Sequence, residues 1–178
     1  MPVSPSTELQ ERIPKAPTVD NRSVLSSFEV FACPPGDDRH IQIVRPFAVL
    51  SKSTYSAPVT PPIGPAYLAA VLEAAGYTVG IIDAIGEDLM NIRTSPCGSY
   101  NLQGLGADEI LERIPSNTKV IGVSMMFSQE WVEHRKFIQE IRQVHPEATI
   151  VAGGEHPTAL PEYVLKDCPE IDYGVSGE

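Results

Sequence analysis

Val120–Gly154 reads VIGVSMMFSQEWVEHRKFIQEIRQVHPEATIVAGG, and the change of period inside it decides the fold. Val120 to Met125 is a short apolar run of strand length. From Glu130 to Val144 the apolar residues Phe137, Ile138, Ile141 and Val144 fall on one helical face, and Pro146 ends that pattern. Ala148 to Ala152 is a second short apolar run. A strand, an amphipathic helix and a strand in succession form a βαβ unit, whose two strands must lie parallel.

Working outward, the same alternation continues on both sides. Ile41 to Val44 reads as a strand ended by Pro46, which cannot donate to a central ladder. Leu68, Val71, Leu72 and Ala75 lie at i, i+3, i+4 and i+7, predicting a helix with that face inward and Gly76 at its C-terminus. Thr78 to Ile82, ending at Asp83, is the next strand. Leu160, Tyr163 and Val164 give the apolar stripe of a last helix, and Ile171 to Val175 a fifth strand leading to Gly177-Glu178. Residues 46–62 and 84–106 read as long loops, the second with a turn of helix near Asp88 to Ile92, before a short helix around Ala107 to Ile114. The expected fold class is α/β: a Rossmann-like (flavodoxin-like), doubly wound, five-stranded parallel sheet in strand order 2-1-3-4-5. Residues 1–38, with six prolines and no sustained period, read as a flexible or loosely draped arm in which Phe28 to Ala32 could add an edge strand or pack on the body; residues 39–178 form the domain.

Composition narrows the function. The 178 residues allow one domain, and 42% hydrophobic residues suffice for a core. Thirteen Lys and Arg against 23 acids give a net charge of -10, the wrong sign for a nucleic-acid backbone or an anionic membrane surface. No apolar run approaches the ~20 residues that cross a bilayer, and MPVSPSTELQERIPK lacks the apolar segment of a signal peptide. The expected location is the cytoplasm. Cys33, Cys97 and Cys168 are too widely spaced for a zinc or iron–sulfur motif, and His40, His134, His145 and His156 have no metal-ligand spacing, so they read as surface or hydrogen-bonding residues.

In a sheet of this order ligands bind beyond the carboxyl ends of the strands, at the switch between the first and third. The third-strand exit brings the hydroxyls of Ser124 and Ser128 and the amide of Gln129 beside Met125, Met126 and Phe127, a composition suited to a large, flat, partly apolar ligand or, alternatively, to capping the core. The fourth-strand exit carries Gly153-Gly154, which lets a ligand lie against bare backbone or serves a tight turn, then His156, Pro157 and Thr158, the last a possible N-cap. Rival uses of the fold lack their residues. Arg45 and Ser124 occupy positions where a phospho-acceptor receiver needs acids, Gly104-Leu105-Gly106 is not a dinucleotide fingerprint, and there is no G-x-S-x-G elbow. A flavodoxin-like flavin or nucleotide-binding protein remains as an alternative.

Three stretches, TPPIGPAYLAAVLEAAGYTVGIID (60–83), VIGVSMMFSQEW (120–131) and IVAGGEHPTALPEYVLKDCPEIDYGVSGE (150–178), together resemble the N-terminal cobalamin-binding domain of cobalamin-dependent radical S-adenosylmethionine enzymes. The resemblance implies that the cofactor is cobalamin, its dimethylbenzimidazole tail lying in a cleft lined by Ser124 and Gly153-Gly154 with the corrin on the strand ends. The implied cofactor-binding set is Tyr55, Pro62, Ile63, Gly64, Asp83, Ser124, Met125, Met126, Phe127, Ser128, Gln129, Gly153, Gly154, His156, Pro157, Thr158, Gly177 and Glu178.

Other cobalamin proteins carry D-x-H-x-x-G after the first strand, but residues 46–62 contain no histidine. Asp38-Arg39-His40 precedes the strand, and Ile43 stands where the glycine should be. The lower face of cobalt is therefore expected to lack a protein histidine. The family's C-x-x-x-C-x-x-C motif, which holds a 4Fe-4S cluster and S-adenosylmethionine in a barrel domain, is absent here. This chain is expected to be the non-catalytic cofactor module of such an enzyme, with methyl transfer as the reaction the resemblance implies, although some relatives use cobalamin without it, and with a free-standing corrinoid carrier as the alternative.

Overall fold

The computed structural model describes residues 40–54 and 60–177. The expected N-terminal arm, its Phe28–Ala32 strand, Tyr55 and Glu178 lie outside the described residues. In chain order the elements are β1 (His40–Arg45), β2 (Ala48–Ser51), α1 (Ile63–Ala74), β3 (Thr78–Asp83), α2 (Ala84–Glu87), β4 (Ile92–Thr94), β5 (Tyr100–Gln103), α3 (Ala107–Arg113), β6 (Thr118–Ser124), a 3-10 turn (Ser128–Glu130), α4 (Trp131–Val144), β7 (Thr149–Gly153), α5 (Glu155–Ala159), α6 (Pro161–Asp167) and β8 (Tyr173–Gly174). β3, β1, β6, β7 and β8 hydrogen-bond in that order as one five-stranded sheet, with every pairing parallel. Counted among these five strands the order is 2-1-3-4-5, the flavodoxin-like arrangement expected from the alternation of period.

The two faces of the sheet are packed unequally. Val44, Ile82, Ile121, Val123, Ile150 and Ala152 on one face close over Phe137, Ile138 and Ile141 of α4 and Val164 of α6, forming the main core. On the other face Ile41 and Ile43 pack only against Ala69 of α1, with Leu72, Val79 and Val120 partly buried around them. β-strand side chains alternate between faces, so this division follows directly from the pairing register.

Several expectations need correction. α1 turns Pro65 and Ala69 inward and leaves Leu68 and Val71 exposed, because IGPAYLAAVLEA is apolar on nearly every side and its period cannot say which face meets the sheet. Val144, Leu160 and Tyr163 are likewise exposed. The last strand shrinks to Tyr173–Gly174, and the turn of helix expected near Asp88 to Ile92 forms four residues earlier, as α2. Residues 46–62 and 84–106 are not simple loops. They contribute β2, β4 and β5, an antiparallel sheet in the order β2-β5-β4. Strands of three and four residues are too short to show a period, and β2 finds its partner β5 some fifty positions away.

This small sheet is bound to α4 through buried polar groups. The backbone N–H of Val49 donates to Glu130 Oε1 at 3.1 Å, and His134 Nε2 donates to the Phe47 carbonyl at 2.9 Å. The Tyr100 hydroxyl donates to Glu133. The Arg93 guanidinium lies 5.4 Å from the Phe47 ring centre and caps the Gly104 and Leu105 carbonyls. His134 and His145 are therefore buried rather than superficial.

These buried imidazoles make stability depend on pH. Burial lowers His134 from 6.5 to about 4, and lowers His145 and His156 as well. The unfolded chain then takes up protons before the native one does, so stability present above pH ~6.5 is lost as the pH falls toward 4. Glu130 and Glu140 act in the opposite sense, because burial raises their carboxyls. We expect the urea midpoint to drop between about pH 7 and pH 5 and the drop to shrink in His134→Gln; an undiminished drop would remove His134 from this linkage.

Candidate functional site

The pairing register lines up four residues across the C-terminal rim of the main sheet. Asp83 pairs with Arg45, and Ser124 with Gly153. Val44 pairs with Val123, which brings Arg45 level with Ser124 one residue further on. All four lie on the face that carries α1, and the row beneath them is Ile81, Ile43, Gly122 and Val151. α1 covers the β3–β1 side of this face, leaving Gly122, Ser124 and Gly153 as a floor of small residues beside it.

Each glycine here can be asked what a side chain would meet. A β-carbon on Gly153 would have no heavy atom within 4 Å, and one on Gly122 would meet only Ile43 Cγ1, at 4.0 Å. Neither glycine is required by packing, and together they keep a strip of backbone open to a ligand. Gly154 is different. Its φ is +109°, and a β-carbon there would press into the backbone carbonyl of Met125. The expectation that both residues of the Gly153-Gly154 pair line a cleft is thus divided, with Gly153 on the open floor and Gly154 serving a turn.

That turn organises both strand exits. Met125 N–H donates to the Gly153 carbonyl at 2.7 Å, and His156 N–H donates back to the Met125 carbonyl at 3.2 Å. The Met125 side chain is 1% exposed and belongs to the core, as does Pro157, so neither side chain faces a ligand. Met126 and Phe127, by contrast, are more than half exposed at the rim. His156 is only 2% exposed; its Nδ1 pairs with Ser128 Oγ at 2.9 Å and its ring lies 5.0 Å from that of Trp131. It fastens the Ser128 end of the loop from beneath, and its buried Nε2 has no partner.

Thr158 is not an N-cap. Gly154 occupies that position of α5, while the Thr158 hydroxyl donates to the Gly154 carbonyl at 2.8 Å and accepts from Gly177 N–H at 3.1 Å, drawing the two ends of the site together. Pro62, Ile63 and Gly64 open α1, and the preceding Thr60 carbonyl accepts from Arg45 at 2.8 Å, which holds this segment to the rim. Gln129 is exposed within the 3-10 turn. Sequence reasoning missed Arg45 and Gly122 as site residues. Only the strand register shows that they share a face with Ser124. A separate hollow of about 270 Å³ lies between the small sheet and α4, lined by Phe47, Arg93, Phe137, Glu133 and Glu140 among others, and takes no part in the rim. Among the described residues, no group of three His, Cys, Asp or Glu could hold a metal ion, and no helix is long and apolar enough to cross a membrane.

The family described as B12 binding domain matches residues 54–178, which include the whole rim except Arg45. The chain belongs to the B12-binding domain family. This B12-binding domain is 33% identical over 121 residues to cytidylyl-2-hydroxyethylphosphonate methyltransferase of Streptomyces wedmorensis, a match that covers 67% of this chain and 22% of the relative. It is 32% identical over 120 residues to anaerobic magnesium-protoporphyrin IX monomethyl ester cyclase of Rubrivivax gelatinosus, covering 66% of this chain and 19% of that one. The chain thus spans about a fifth of the length of these curated relatives. The solved structure of response regulator protein TrrA from Thermotoga maritima aligns with a TM-score of 0.46 and 13% identity, over 79% of this chain and 87% of that one.

The two glycines should respond differently to substitution. Gly154→Ala is expected to lower stability by roughly 1–3 kcal/mol in denaturant titrations without any ligand, because the turn needs positive φ. Gly153→Val should leave the urea midpoint nearly unchanged. Equal losses in the two variants would show Gly153 to be a packing residue as well.

Proposed function

We propose that the strip of bare backbone at Gly122 and Gly153 seats the nucleotide tail of cobalamin, and that this chain is the cofactor-holding module of a longer cobalamin-dependent radical S-adenosylmethionine enzyme. The observation that carries the reading is the open space above those two glycines, beside α1, in a chain of the B12-binding domain family. A flat aromatic base needs a floor without side chains and an apolar wall. Ser124 supplies a short hydroxyl next to that floor. Met126 and Phe127 offer apolar surface at the rim for a corrin macrocycle, and Gly177, held to Thr158, closes the far end.

When bound, cobalamin would supply a cobalt–carbon bond able to pass on a methyl group, which is chemistry no side chain here provides. The chain's own part is to bind the tail, present the ring beyond the strand ends and screen its lower side. S-adenosylmethionine and a 4Fe-4S cluster would be held by a barrel domain of the longer protein. Cys97, exposed in the β4–β5 hairpin, and Cys168, buried at the C-terminal cap of α6, are not placed to bind a cluster together. The printed activity of one relative is that of a methyltransferase and of the other a cyclase, so methyl transfer is the narrower part of the reading.

Titration of the purified chain with hydroxocobalamin, followed by its visible spectrum and by retention on a desalting column, tests the binding. Retained cobalamin supports it; cobalamin that washes off while flavin mononucleotide stays overturns it in favour of a flavin-binding protein. With cobalamin retained, Gly153→Val should weaken it by roughly ten- to a hundredfold, the cost of forcing a branched side chain into occupied space.

The lower face of cobalt is expected to lack a protein histidine, since residues 46–62 contain none and His156 is committed to Ser128 inside the core. Electron paramagnetic resonance of the Co(II) form should then show no nitrogen splitting that depends on His156. Triplets lost in His156→Ala would contradict this.

A further inference from the structure

Arg45 ends β1 in the rim row, between Asp83 and Ser124, and its hydrogen bonding is lopsided. Among the described residues, its three hydrogen bonds all use Nη1, one to the Thr60 carbonyl at 2.8 Å and two to the Asp83 carboxylate at 3.3 and 3.4 Å. The other ion pairs among the described residues close to 2.5–2.7 Å, the spacing of charge-assisted hydrogen bonds. Arg45 therefore leans on Asp83 without being fully engaged by it. A guanidinium carries five N–H donors in a planar fork, and those on Nη2 and Nε find no acceptor among the described residues.

The side chain as a whole is 19% exposed, and its Nη2 and Nε are not among the buried polar atoms left without a partner, which leaves the free edge of the fork on the open rim. That planar fork of donors matches the oxygens of a phosphate. In a chain of net charge -10 the long-range field repels anions, so a phosphate has to be recognised by a local cation. Asp83 sits beside that cation with a carboxylate that Arg45 holds only loosely, an acceptor suited to a sugar hydroxyl. A donor fork and an acceptor side by side, on the same face as the glycine floor, match a sugar phosphate joined to a flat base.

We infer that Arg45 and Asp83 form the subsite for the ribose-phosphate link of the ligand's nucleotide tail, Arg45 pairing with the phosphodiester and Asp83 accepting from the ribose. The inference rests on the cobalamin reading and assigns the recognition of the tail's polar part to two residues of this chain. It also gives the Arg45–Thr60 contact a purpose: the segment leading into α1 is held against the sheet by the same side chain that meets the phosphate.

The test compares cobalamin with cobinamide, the corrin without the nucleotide tail, on the 178-residue chain. The wild type should bind cobalamin more tightly than cobinamide. Arg45→Gln should weaken cobalamin about tenfold or more, as for loss of a charged hydrogen bond, with cobinamide changed by less than about twofold. Arg45→Lys keeps the charge without the fork and should fall between, and Asp83→Asn should weaken cobalamin alone. Raising ionic strength should weaken cobalamin binding in the wild type and do so less in Arg45→Gln. Equal weakening of both corrinoids in Arg45→Gln, with an unchanged melting curve, would overturn the inference and leave Arg45 as a tether for Thr60. Equal wild-type affinity for the two would overturn it because the tail is not read at all, and retention of neither would instead remove the cobalamin reading on which it stands.

Discussion

At the exit of β7 the backbone of Gly154 passes so close to the Met125 carbonyl that no side chain fits between them. That contact fixes how two neighbouring strands end, and much of the rim depends on it. It lets Met125 donate to Gly153 and receive from His156, so the two exits are stitched together across the sheet. With Met125 anchored, the next two residues turn outward, and Met126 and Phe127 stand in solvent instead of in the core. His156 then reaches Ser128 from below, and Thr158 reaches Gly177. A left-handed backbone conformation, available cheaply only to glycine, is thus the local origin of a surface several residues wide.

The unequal covering of the sheet gives that surface its chemistry. On the α4 face, branched aliphatic side chains interlock with Phe137, Ile138 and Ile141, and there is no room for a ligand. On the α1 face the side chains shrink to Gly122, Ser124 and Gly153 as the strands approach the rim, while α1 packs mainly on β3 and β1. A parallel sheet ordinarily needs both faces covered. Here one stretch is left to bare backbone bordered by an apolar helix, and the polar row of Asp83, Arg45 and Ser124 crosses its end. The small antiparallel sheet adds weight on the core side: its ties to Glu130, Glu133 and His134 all end on the first turn of α4 or the turn before it, next to the loop that carries Met126 and Phe127.

Much of the architecture was legible in the residues. The change of period between Val120 and Gly154 was enough to predict a βαβ unit, and its repetition on either side gave the strand order now seen in the sheet. The order and spacing of the strand exits also pointed to the B12-binding domain family, because loops at a topological switch carry their chemistry in a few residues that do not depend on the details of packing. Less could be read where the sequence has no contrast. α1 is apolar all round, so its inward face was misjudged, and β2, β4 and β5 are too short to have a period.

The sequence by itself determined which segments become the five strands of the main sheet and the longer helices between them, and placed two glycines at the end of one of those strands. Their different roles depend on what lies across from each, open space for Gly153 and a neighbouring strand's carbonyl for Gly154. Likewise Arg45 and Gly122, 77 positions apart in the chain, come onto one face with Ser124 only through the registry of β1 with β6. Local patterning sets the period of an element, whereas the alignment of one strand against the next is settled by hydrogen bonds and packing between distant segments, and that alignment is what assembles the rim.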